Sequence, residues 1–75
     1  MSFQDSIQSF TLSLEQRPDF SKDIALRRAV QLLKDVKSQT ELRQQKDLIL
    51  RVAIDGIESR DTINLISSFM RSYQK

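Results

Sequence analysis

Apolar residues along this chain recur every three or four positions. Phe3, Ile7, Phe10 and Leu14 step by four, three and four. That spacing lays them on one stripe of a helix over about Ser2 to Gln16. Ser2, with Asp5 three residues on, resembles a capping box, with aspartate in place of glutamate. Arg17-Pro18 ends the element, because the residue before proline is pushed out of the α region. A second stripe, Leu26, Ala29, Val30, Leu33 and Val36, predicts a helix over about Ser21 to Lys37. Ser21 or Asp19 would cap it, with Phe20 as the staple. A third helix is predicted over about Thr40 to Asp55. Ser38 and Glu41 supply a capping box, and Gly56 supplies a left-handed stop. Leu42, Ile49, Val52 and Ala53 share one side of it, and Leu48, Leu50 and Ile54 widen the arc beyond half the circumference. A helix apolar that far round is expected at the centre of its fold. The fourth helix covers about Asp61 to Tyr73, capped by Ser59 or Asp61. Its stripe is Ile63, Ile66, Met70 and Tyr73, with Phe69 alongside.

The run Leu48 to Ile54 also reads as a buried strand, but no second strand candidate exists to pair with it. One proline and one glycine in 75 residues leave too few turns for a β protein. The expected architecture is therefore all-α, with residues 1–75 forming a single helical domain. It is a small bundle of four short helices, or three long ones with a looser N-terminal one. Helices joined by so few residues should be neighbours.

Polar positions complete the faces. Arg43, Asp47, Arg51 and Asp55 are spaced by four with alternating sign, the pattern of a solvated helix face. Several apolar residues fall off the stripes. Leu12 lies opposite Phe3, Ile7 and Phe10. Ile24 lies opposite Leu33, and Leu65 lies about a quarter turn from the main stripe of the fourth helix. A chain of 75 residues buries only about 60% of its unfolded surface. A homodimer sharing a second buried face would add core area.

Composition excludes more than it identifies. There is no cysteine and no histidine, so thiolate chemistry and the commonest general base and zinc ligand are missing. One glycine builds no phosphate-cradling loop. The serines have no histidine or lysine dyad beside them, and the carboxylates mostly sit near basic residues. Asp55, Glu58 and Asp61 cluster around Gly56 but lack the order of a calcium loop. An enzyme is not expected, nor a metal, nor a cofactor. Net charge is +2, and the longest apolar runs are three residues. No secretory signal or membrane span is expected, so the chain is read as cytoplasmic and not membrane-bound.

The segment Gly56-Ile57-Glu58-Ser59-Arg60-Asp61-Thr62-Ile63-Asn64 is similar to the turn and recognition-helix start of helix-turn-helix regulators, especially those related to mercury-resistance repressors. The resemblance implies that Gly56 makes the turn, Ile57 plugs the core and Ser59 caps the recognition helix. Arg60, Thr62 and Asn64 would then face a DNA major groove. The stretch departs from that pattern at Glu58, an additional residue between Ile57 and Ser59, and at Val52, where the pattern has alanine.

The expected function is a non-enzymatic protein–protein interaction module, a regulator or adaptor acting as a homodimer. Its candidate contacts are Leu12, Leu48, Leu50, Ile54, Leu65 and Phe69. The alternative is a DNA-binding regulator using Arg60, Thr62 and Asn64, with nucleic acid the less favoured partner.

Overall fold

The computed structural model describes residues 2–72. Four helices follow one another: α1 (Phe3–Glu15), α2 (Ile24–Asp35), α3 (Gln39–Gly56) and α4 (Arg60–Arg71). Among the described residues there is no strand, and Leu48 to Ile54 lies within α3. The chain is an all-α bundle. The predicted extension of the last helix to Tyr73 lies outside the described residues.

Local chemistry sets each helix start. Ser2 caps α1, its hydroxyl oxygen accepting from the Asp5 N–H at 3.2 Å. Ser38 caps α3 by accepting from the Glu41 N–H at 3.2 Å. Glu41 reaches back one residue further than a reciprocal box, accepting from the Lys37 N–H at 3.3 Å. Ser59 caps α4 by accepting from the Thr62 N–H at 3.4 Å.

Helix α2 begins later than predicted. Pro18 opens a series of turns in which Phe20 N–H donates to the Arg17 carbonyl, and Lys22 and Asp23 N–H both donate to the Asp19 carbonyl. Those bonds hold residues 17–22 out of the helix. The cap is Asp23, whose Oδ1 accepts from the Leu26 N–H at 3.1 Å. Neither Ser21 nor Asp19 takes that role. The position before the cap is Lys22, so Phe20 is not the staple residue, although it packs against the core.

Gly56 also departs from expectation. It is the last residue of α3 and does not have positive φ. The cap beyond it is Ile57, extended at φ −76° and ψ 126°, with its N–H donating to the Ala53 carbonyl at 2.9 Å. What requires glycine here is a close approach. A Cβ at Gly56 would collide with the Ala25 Cβ and lie 3.7 Å from its Cα.

Packing is sequential: α1 lies on α2, α2 on α3 and α3 on α4. The four stripes close on one core that includes Leu14, Leu26, Leu33, Leu42, Ile49 and Ile66, all fully buried. The α1 and α4 ends of this series meet through Phe10 and Phe69, whose parallel rings stack with centroids 4.2 Å apart. Helix α3 is not enclosed as its apolar arc suggested, because Leu48 and Ile54 stay exposed at 48% and 62%.

The radius of gyration is 11.3 Å, matching the roughly 11 Å expected of a folded chain this long. The accessible surface is 5076 Å², near the roughly 4,700 Å² of a monomer of this mass. One chain therefore closes its own core, and core completion is not a reason to dimerise. Among the described residues no helix is long and apolar enough to cross a membrane.

Candidate functional site

Exposed apolar side chains are the features a closed core leaves unexplained. Of the six predicted contacts, Leu12, Leu48, Ile54 and Leu65 are exposed, at 43% or more. Leu50 and Phe69 are not: both are half-buried against the core, and Phe69 is held by its stack on Phe10. The six are spread over α1, α3 and α4 rather than gathered at one point.

Leu12 borders a shallow groove of about 360 Å³ between α1 and α2. An ion pair crosses those helices from Lys34 Nζ to Glu15 Oε2 at 2.9 Å. The Gln4 side-chain amide also crosses, donating to the Lys37 carbonyl at 2.6 Å. A larger groove of about 510 Å³ lies where the start of α2 meets the end of α3. Its apolar lining is Ile24, Ala25, Val52 and Gly56, and Asp23 and Arg28 add charge. Asp23 has two functions there. One carboxylate oxygen caps α2, and the other accepts from the Glu58 N–H at 3.3 Å, tying the α3–α4 turn to α2. Sequence patterning offers Ser21 or Asp19 as the cap of this helix and does not single out Asp23. The fold that brings Glu58 beside it is not visible there.

The outer face of α3 is the most organised surface. Arg43, Asp47, Arg51 and Asp55 are all exposed along it. At 100° per residue, Leu48 falls on one flank of this stripe and Ile54 within its opposite side. Among the described residues no ion pair within 4.0 Å joins Asp47, Arg51 and Asp55 to one another. The face thus presents two large apolar side chains among alternating charges.

The helix-turn-helix resemblance is met in part. Ile57 is buried and Ser59 caps α4, as the resemblance implies. Gly56 belongs to α3 rather than to a left-handed turn. Arg60 and Asn64 are exposed, but Thr62 is wholly buried and cannot face a groove in this fold. At helical spacing Arg71 joins Arg60 and Asn64 on the outer side of α4, a polar stripe that the short motif did not include.

Comparison of the chain with protein-family models, with characterised proteins and with solved structures gives no significant match in any of the three.

Proposed function

We propose that the chain is a small non-enzymatic interaction module, a regulator or adaptor that works in the cytoplasm as a homodimer. The observation that carries this is the outer face of α3, where Leu48 and Ile54 remain about half exposed or more beside a charged stripe although the chain has closed its own core. Apolar anchors within a charged surround are the composition of a recognition surface. Burial of the anchors drives association, and the charges select the partner. The absence of cysteine suits a reducing compartment.

The test is the solution mass by light scattering over a dilution series, for the native chain and for a Leu48→Ser, Ile54→Ser double variant. The expected result is a native mass near twice 8.7 kDa and a monomeric variant of unchanged helicity. A native chain that stays monomeric throughout, or a dimer the double variant does not weaken, overturns the reading.

A second reading is favoured by the Arg60, Asn64 and Arg71 stripe on α4. Such a stripe suits contact with duplex DNA, phosphates included. It requires a mobility shift with duplex DNA at physiological salt that Arg60→Ala weakens. The absence of a shift discards it.

A further inference from the structure

The order of charges on α3 is antisymmetric, and that order specifies a partner. Turning the helix end for end about position 49 exchanges Arg43 with Asp55 and Asp47 with Arg51. Every positive position takes the place of a negative one. We propose that the occupant of this face is a second copy of the same chain, docked through α3 in antiparallel register about a two-fold axis level with Ile49. This rests on the self-association proposed above and adds its geometry.

The ridge formed by residues four apart is inclined by about 26° to the helix axis. Two such ridges laid face to face and reversed cross their helices at about 50°, the commonest helix packing in globular proteins. Asp47 of one copy then faces Arg51 of the other, and Arg43 faces Asp55, each pairing occurring twice by symmetry. A parallel arrangement would set Asp47 against Asp47 and Arg51 against Arg51, so the charge order opposes it.

The same operation brings the two Leu48 side chains toward each other across the axis, and it sets Ile54 of one copy level with Gln44 of the other. No charge meets a like charge in this register, and among the described residues Asp47, Leu48, Arg51, Ile54 and Asp55 are all exposed on this face, as is Arg43. The central ladder is also not closed within the helix, because Asp47, Arg51 and Asp55 make no ion pair with one another among the described residues.

Charge reversal on the full chain tests the register, read by sedimentation equilibrium with circular dichroism as the check on folding. Asp47→Arg alone places arginine against arginine twice per dimer, and Arg51→Asp alone places aspartate against aspartate twice. Each should weaken self-association by about tenfold or more. An equimolar mixture of the two variants should associate again as a heterodimer, because both central positions are then basic in one chain and acidic in the other. The Asp47→Arg, Arg51→Asp double variant should return to native affinity. If the native chain dimerises but single reversals leave it unchanged, or the mixture fails to associate, the register is wrong while self-association stands. If the native chain is monomeric throughout, self-association itself fails, and this inference with it.

Discussion

Thr62 carries its hydroxyl into the core with no hydrogen-bond partner among the described residues. Thr11 is as deeply buried, but its hydroxyl donates to the Ile7 and Gln8 carbonyls at 3.0 and 3.1 Å. A buried polar group left unpaired costs about 1–3 kcal/mol, whereas a satisfied one costs little. Thr62→Val should therefore stabilise the fold by about 1 kcal/mol, raising Tm by about 5 °C. Thr11→Val should leave Tm nearly unchanged. A calorimetric scan of both decides the matter, and equal shifts would contradict the contrast. Asp23 offers a second residue-scale test. Asp23→Asn keeps an oxygen for the α2 cap but has only one, so the tie to Glu58 is lost. Asp23→Ala loses both contacts. The alanine variant should be destabilised by about 1–2 kcal/mol and the asparagine variant by less, as read from denaturant midpoints.

Among the elements, stripes and caps made most of the fold legible in the sequence. The α1, α3 and α4 caps are serines where the pattern placed them, and the α2 stripe is buried throughout. By contrast, Thr11 and Thr62 join the buried sets of α1 and α4, and Phe3, Phe10, Val52 and Ile63 are only half-buried. What was not legible depended on contacts distant in sequence. The start of α2 moved because Asp19 and Pro18 organise a turn that competes with the helix. Leu50 and Phe69 looked surplus to their stripes, yet neighbouring helices cover them. The helix-turn-helix resemblance implies an outward-facing Thr62, whereas the fold buries it completely. Gly56 is the clearest case: its sequence neighbours suggest a turn, whereas its reason is Ala25 on another helix. Glycine to alanine inside a helix normally gains up to about 1 kcal/mol. Here Gly56→Ala should instead cost about 1–3 kcal/mol, because the clash is with a Cβ fixed to backbone. Ala25→Gly in the same chain should recover part of that loss in urea unfolding.

For the whole molecule, the separation of core from interface has a measurable result. The apolar stripes are satisfied within one chain, and the proposed dimer face lies on the opposite side of α3. Helicity at 222 nm should therefore hold constant on dilution while the mass falls from dimer to monomer. If helicity fell together with the mass, folding and association would be a single event, and α1 or another element would have to be packing on the neighbouring chain. The candidate surface itself was half visible in advance. The alternating charges and the surplus leucines of α3 are sequence features, but only the fold shows which of those leucines remain outside.

The neighbour-on-neighbour order of the helices also fixes how quickly the chain can find its structure. Each helix docks on the one synthesised just before it, so little loop entropy is spent before contacts form. Low contact order of this kind belongs to chains that fold in microseconds to milliseconds. The Phe10–Phe69 stack departs from that order, since it joins the first helix to the last. It can form only once the intervening helices are in place, which puts it late on the route. Phe10→Leu should then accelerate unfolding while leaving the folding limb of a stopped-flow chevron almost unmoved. The ring pair would act as a clasp that governs how long the native state lasts rather than how fast it is reached.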